Sequence, residues 1–274
     1  MNKKLSLLTF VCLIQATLTF SQIKNKGNIS LMVGPAFPTG QFAGTNLFDE
    51  SSGFAKTGTA ISLSYTTKPL LNNWAFLINL AAQKNPINTN AFESTLSKAK
   101  IYQGFYFGTG TNNPPPQENY SVYPNWKFEN KSWLYASLQV GTKGQFSIDK
   151  QNKTWLTTNV TVGVLYLKSP QLKGSSITDT ASAFISQSKS SGYGLIYSFG
   201  VGMNYYLNRT IFLTSTLNYI GTSKVTFKNV EGTLTTTKGT PGSSSYSIQQ
   251  STTTANGQQA VSSINLLIGI GIVL

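Results

Sequence analysis

Histidine is absent from this chain of 274 residues and cysteine occurs once, which excludes histidine-based triads, histidine-ligated metals and a structural disulfide. Charge is scarce too: 11% of the residues are charged, and 8 acids stand against 21 basic residues for a net charge of +13. Asp49 and Glu50 are adjacent carboxylates, but a calcium site takes about 6 to 8 oxygen ligands, so the pair is read as solvated. Serine and threonine are abundant, yet a hydroxyl nucleophile needs a nearby base and the usual one is missing. No catalytic residue, metal or cofactor is therefore expected, and the chain is not read as an enzyme. After the N-terminal segment there is also no run of about 18 apolar residues, which excludes an inner-membrane helix bundle.

What is present favours strands and turns: 16 Phe, 13 Tyr and 24 Gly in a chain that is 40% hydrophobic. Residues 1–21 have the layout of a secretory signal peptide, with Lys3 and Lys4, an apolar stretch from Leu5 to Phe20, and Ser21 before the expected cut. Cys12 lies in that stretch behind Phe10 and Val11, not behind the small residues of a lipoprotein cleavage site. Residues 22–274 are thus read as one cysteine-free exported domain that relies on backbone pairing.

The exported part alternates with period 2. Thr59, Ile61, Leu63 and Tyr65 interleave with Ala60, Ser62 and Ser64; Tyr193 to Leu207 and Ile264 to Leu274 repeat the pattern at greater length. Eight spanning strands are placed at 28–37, 57–67, 72–82, 132–143, 154–167, 192–207, 210–221 and 260–274, near the ~9 to 11 residues that a tilted strand needs to cross a bilayer. Connections near 38–56, 83–131, 168–191 and 222–259 are long and the intervening ones shorter, as on the two rims of an up-and-down barrel. No Asp, Glu, Lys or Arg falls in 57–67, 69–83, 132–142, 154–167, 190–208 or 210–223. A solvated sandwich would place charges on its outer parity, whereas lipid penalises each by about 2 to 4 kcal/mol at mid-depth. The fold class is an all-β, antiparallel up-and-down transmembrane barrel of eight strands, with ten or twelve as the alternative, in the bacterial outer membrane.

The stretches Gly34-Pro35-Ala36-Phe37-Pro38-Thr39-Gly40-Gln41-Phe42-Ala43 and Gly53-Phe54-Ala55-Lys56-Thr57-Gly58, with Leu138-Gln139-Val140-Gly141 ahead of a Lys-containing turn, resemble the small outer-membrane β-barrel proteins of Bacteroidetes-type bacteria, OmpA/OmpX-like barrels without a peptidoglycan-binding domain. The resemblance implies fold and location, and no enzymatic activity. It also implies insertion by the outer-membrane assembly machinery, which commonly reads a terminal aromatic residue where this chain ends Ile272-Val273-Leu274.

Both rims are basic, which suits phosphate-bearing lipids; nucleic acid is not expected as a partner. Contacts to lipopolysaccharide or a surface partner, protein or glycan, are assigned to Lys84, Lys98, Lys100, Lys127 and Lys131 and to the aromatics Tyr102, Tyr106, Tyr123 and Trp126 of the second external loop. The bland alternative is that strands extend the barrel outwards and those rings bury one another. Residues 232–259 read as a mobile polar segment, with a hairpin around Ser243 to Ile248 as a further option. Tyr65, Trp74, Trp133, Tyr135, Trp155, Tyr166, Tyr193, Tyr205, Tyr206 and Tyr219 fall near strand ends and are assigned to the interface girdles. An eight-stranded barrel is about filled by its own side chains, so the leading function is a non-enzymatic surface or structural protein acting through its loops. The alternatives are a narrow pore or transport-accessory barrel and, third, a soluble secreted β-sandwich adhesin.

Overall fold

All eight alternating segments are strands of one barrel. The computed structural model describes residues 26–46, 49, 51–71, 73–98, 125–179, 181–239 and 246–274. In chain order its strands are β1 (Asn28–Pro38), β2 (Gly58–Thr66), β3 (Trp74–Pro86), β4 (Lys127–Phe128), β5 (Ser132–Ser147), β6 (Thr154–Lys168), β7 (Leu172–Ile177), β8 (Ala181–Gln187), β9 (Ser191–Tyr206), β10 (Ile211–Thr222), β11 (Val225–Lys238), β12 (Ser247–Gln259) and β13 (Ser262–Val273). Two helices, α1 (Gly40–Ala43) and α2 (Thr89–Lys98), follow β1 and β3. The barrel closes in the order β1-β13-β10-β9-β6-β5-β3-β2, every pair antiparallel, with β1 bonded to both β13 and β2. Eight strands suffice, so the ten- and twelve-strand options and the two-sheet sandwich are set aside.

Side-chain parity decides what each surface meets. Ile29, Leu31 and Val33 on β1, Val160, Val162 and Val164 on β6, and Ile264, Leu266, Ile268 and Ile270 on β13 all point outwards and are exposed. Ser30, Ser62, Ser64, Gln139, Thr161, Ser198 and Thr216 point inwards and are buried. Gly34 is one of the inward positions that allow this narrow tube: a Cβ there would run into the carbonyl oxygen of Leu266 on the neighbouring strand. A closed barrel leaves no unpaired edge in hydrocarbon. With an apolar outer belt and a polar lumen, this is a membrane-spanning barrel of the bacterial outer-membrane type, and that membrane is where the protein resides.

The two rims differ. At one end the strands turn back through 67–73, 148–153 and 207–210, the last closed by Asn208 Oδ1 accepting from the N–H groups of Thr210 and Ile211, each at 2.8 Å. At the other end a second sheet of five strands stands in the order β12-β11-β8-β7-β4. This repeats the barrel order β13-β10-β9-β6-β5, because each of its strands continues a barrel strand across a break of two or three residues. The wall is thus taller on one side, and we call this part the crown. On the low side α1, α2 and the segment around Phe54 pack inwards instead.

Several expectations need correcting here. Residues 232–239 and 247–259 are no loose segment: β11 and β12 pair from Val225↔Gln259 to Lys238↔Ser247, with a register shift between Phe227 and Val230, favoured by their many β-branched threonines; residues 240–245, where part of the expected Ser243–Ile248 hairpin falls, lie outside the described residues. Residues 168–191 likewise hold the β7–β8 hairpin. β3 runs to Pro86, so Lys84 belongs to the wall and not to the second loop. β5 runs to Ser147, which turns Lys143 from a turn residue into a buried inward one. The segments around 101–108 and 120–124 lie outside the described residues.

Candidate functional site

Buried side chains occupy the lumen at its outer, middle and inner levels. Its outer half belongs to the apolar core formed by Trp133, Tyr135, Leu165, Leu167, Ile196 and Ile220 from the wall, with Phe42, Phe54 and Phe92 from the low side. Phe42 meets Trp133 with ring centroids 5.9 Å apart and Trp133 meets Phe227 of the crown at 6.0 Å. Beneath them Gln83 Oε1 accepts from Tyr135 Oη at 2.9 Å and from Asn265 Nδ2 at 2.8 Å, joining β3 to β5 and to β13. Lower still, Gln139 Oε1 accepts from Thr161 Oγ1 at 2.6 Å and Ser198 Oγ at 3.2 Å. The inner end holds Trp155, Tyr206 and Phe212, with centroids 6.4 and 5.2 Å apart along that series. Filled lumens are expected at this strand number.

Surface chemistry is concentrated on the crown. At its β4–β7–β8 side a cleft of about 310 Å³ is lined by Lys127, Glu129, Lys173, Ser175, Phe184 and Ser186, among others. The register explains the convergence: Lys127 pairs with Ser175, Ser175 with Phe184, and Lys173 with Ser186, so these side chains share one face. Phe184 is exposed in that face although its neighbours Ala183 and Ile185 pack towards the core. The hydrogen bond from Lys131, 2.8 Å from Glu129, holds the Glu129 carboxyl below the usual range, helped by the charges of Lys131 and Lys173. A flat ring flanked by two ammonium groups and hydroxyls suits an anionic or polyhydroxylated ligand at a wet surface.

A second basic feature lies at the rim. On the outward parity Lys84 and Lys168 both pair with Leu134, one from each side. Just inside this row, Tyr166 and Tyr193 meet on the outer wall with centroids 5.3 Å apart. Lysines above a tyrosine girdle mark the boundary between hydrocarbon and head groups.

The residues singled out from sequence scatter. Lys127 is exposed and Lys131 half-buried on the crown edge; Lys98 is the last residue of α2. Lys100, Tyr102, Tyr106 and Tyr123 lie outside the described residues. Trp126 is only 1% exposed and stacks on Phe128, which meets Phe92 at 4.5 Å, so at this position the rings bury one another and offer no docking surface. Of the girdle set, Tyr65, Tyr166, Tyr193 and Tyr205 are exposed on the outer wall, and Trp74 and Tyr219 are half-buried on the same parity. Trp74 packs edge-on against Phe146. Trp133 and Trp155 do not belong there: each is 6% exposed and points inwards, Trp133 Nε1 donating to Gly53 O and Trp155 Nε1 to Asn152 O. Tyr135 and Tyr206 share that inward parity. Lys168, Lys173, Phe184 and Ser186 were missed, although Lys173 and Phe184 sit in a β-rich stretch whose hairpin would have placed them on one face.

Asp49 is engaged at home, accepting from Ser51 Oγ at 2.5 Å and Ser51 N at 3.0 Å. The Ser51 hydroxyl, then its N–H, keeps this carboxyl below its ordinary range.

No protein-family model matches this chain, and no curated protein matches it in sequence. Solved structures do resemble it in shape. Neisserial surface protein A is 11% identical, with a TM-score of 0.40 over 90% of this chain and 96% of its own. Ail, the attachment invasion locus protein of Yersinia pestis, is 13% identical with a TM-score of 0.36, over 91% of this chain and 99% of its own. A major outer membrane protein from Thermus thermophilus is 12% identical with a TM-score of 0.40, over 90% and 99% of the two chains.

Proposed function

We propose that this protein is a non-enzymatic surface protein of the outer membrane, whose barrel is an anchor and whose crown is a docking platform. One observation carries the reading: the lumen is occupied along its length while the chain builds a folded, ligand-accessible sheet on one side of one rim. A conduit would invest its polar groups in an open passage, and here Gln83 and Gln139 spend theirs on neighbouring wall residues. Residues 1–21 serve as the export signal in this reading, and the assembly machinery inserts the barrel. The stretches 34–43 and 53–58 support a Bacteroidetes-type origin.

The partners follow from the two basic features. Lys84 and Lys168 face lipopolysaccharide phosphates at the rim, with Lys98 and Lys100 contributing from the second connection. Lys127 and Lys173 beside Phe184 receive a surface glycan carrying acidic groups, the ring stacking on a sugar face and the ammonium groups meeting the acids. The test is retention of proteoliposomes on immobilised acidic and neutral glycans. Wild-type vesicles should be held by the acidic ones, and the Lys127→Glu, Lys173→Glu, Phe184→Ala variant should lose that retention while its heat-modifiable gel mobility is unchanged. Equal retention of both proteins would sink the crown reading, and steady single-channel openings in planar bilayers would restore the pore.

A further inference from the structure

The crown, unlike the barrel, is an open sheet and has two edges. Its β4–β7 edge carries Lys127, Glu129, Lys131 and Lys173, the kind of charged border that keeps sheets from joining edge to edge. The β12 edge carries nothing comparable. From Gln250 to Ala255 it reads Gln-Ser-Thr-Thr-Thr-Ala, with no charge, no proline and an unshifted register against β11; the register shift between Phe227 and Val230 falls just beyond it, at Asn256. One side of this stretch pairs with β11, and among the described residues no backbone hydrogen bond reaches the other side. Gln250, Thr252, Thr254 and Asn256 are exposed.

We infer that the β12 edge pairs antiparallel with the β12 edge of a second copy of this chain seated in an opposing membrane. Three observations lead to this occupant. First, self-pairing centred on Thr253 sets Thr252 opposite Thr254, Ser251 opposite Ala255 and Gln250 opposite Asn256, so every facing pair is uncharged and most can hydrogen-bond. A charged peptide would gain nothing from such an edge, and a second copy meets no repulsion. Second, a two-fold axis that pairs identical strand edges through a full ladder stands perpendicular to the sheet and makes the strands antiparallel. Third, β12 runs straight to its own barrel, with only Ala260 and Val261 before β13. Reversing the strand therefore reverses the barrel, and the two anchors face each other across the gap between two membranes. Strand addition supplies affinity through the backbone and asks little of the side chains.

Two populations of proteoliposomes carrying the wild-type protein, mixed and followed by light scattering, provide the test. Clustering is expected, and it should fall at least tenfold when Thr252 and Thr254 are both changed to Lys. A misfolded crown would give the same loss, so the Lys variant is mixed with vesicles bearing Thr252→Glu and Thr254→Glu: opposite charges on facing strands should restore clustering, which misfolding would not. In a single-cysteine series over 251–255, disulfides should form between the two populations and peak at Thr253→Cys, since facing strand positions lie within disulfide reach. Dispersed wild-type vesicles, clustering indifferent to the Lys pair, or cross-links confined to one population would each overturn the inference. It stands apart from the glycan cleft, whose variant leaves β12 intact and should still cluster.

Discussion

Gln83 Oε1 on β3 accepts a hydrogen bond from Asn265 Nδ2 on β13 at 2.8 Å, tying together two strands that are separated in the barrel by β2 and β1. The same oxygen takes the Tyr135 hydroxyl at 2.9 Å, and Gln83 Nε2 donates to Asn85 Oδ1 at 2.6 Å. A buried amide with partners on β5, on β13 and on its own strand leaves all three unsatisfied together when it is removed. Gln83→Ala is expected to destabilise the refolded barrel by about 1–3 kcal/mol, read as a lower urea midpoint with an unchanged slope in detergent micelles.

Wild-type protein in planar bilayers should show no steady openings, because aromatic rings occupy both ends of the lumen. Removing rings at one end alone should change little. Even Trp133→Ala with Tyr135→Ala, combined with Trp155→Ala and Phe212→Ala, should leave the barrel closed, since the Gln83 and Gln139 clusters still occupy the middle of the lumen.

Charge tolerance should follow parity. Val162 points outwards at mid-wall and is 58% exposed, so Val162→Lys should cost roughly 2 to 4 kcal/mol. The inward neighbour Thr161→Lys enters a polar lumen that already accommodates Lys143; its penalty is overpacking, not contact of charge with hydrocarbon. Folding titrations in lipid vesicles separate the two, because the neutral, similarly long Met should relieve the deficit at Val162 but not at Thr161.

The inner turn between β5 and β6 should register acid. Desolvation raises the Asp149 pKa, but hydrogen bonds from Thr154 and from the N–H groups of Lys153, Thr154 and Asn152 outweigh it, so the carboxyl titrates below its ordinary 3.8. A carboxyl depressed in the folded state contributes stability above its unfolded value and loses it as pH falls through the folded one. Wild type should therefore lose more stability between pH 6 and pH 3 than Asp149→Asn, measured by urea titration at each pH.

Orientation is checked by labelling. Ser186→Cys on the crown should react with an impermeant maleimide on intact cells, and Lys150→Cys in an inner turn should react only after lysis. The opposite pattern would invert the topology and every surface assignment with it.

The barrel was legible in the sequence because lipid and lumen impose opposite demands on alternate residues. Ile61, Leu63 and Tyr65 against Ala60, Ser62 and Ser64 can satisfy both only as a membrane strand, and the short turns fix which ends meet. The eight strands, the longer rim and the uncharged outer face between the rims follow from that local rule. Trp133 and Trp155 could not be placed by it, since an aromatic residue near a strand end is equally compatible with a girdle outside and a plug inside. Its parity is set by strand ends that only pairing fixes, and here β5 runs on past Lys143. The crown was hidden for a related reason: Leu172 to Gln187 and the Thr-rich stretches alternate weakly, because one face meets a small core and the other meets water. Their strands form where the barrel beneath them supplies partners and register. Sequence alone determined a membrane barrel with one elaborate rim. The tertiary structure decided that the lumen is filled, that five strands rise together into a sheet, and that Lys127, Lys173 and Phe184 converge on it, because each of these depends on contacts between segments far apart in the chain.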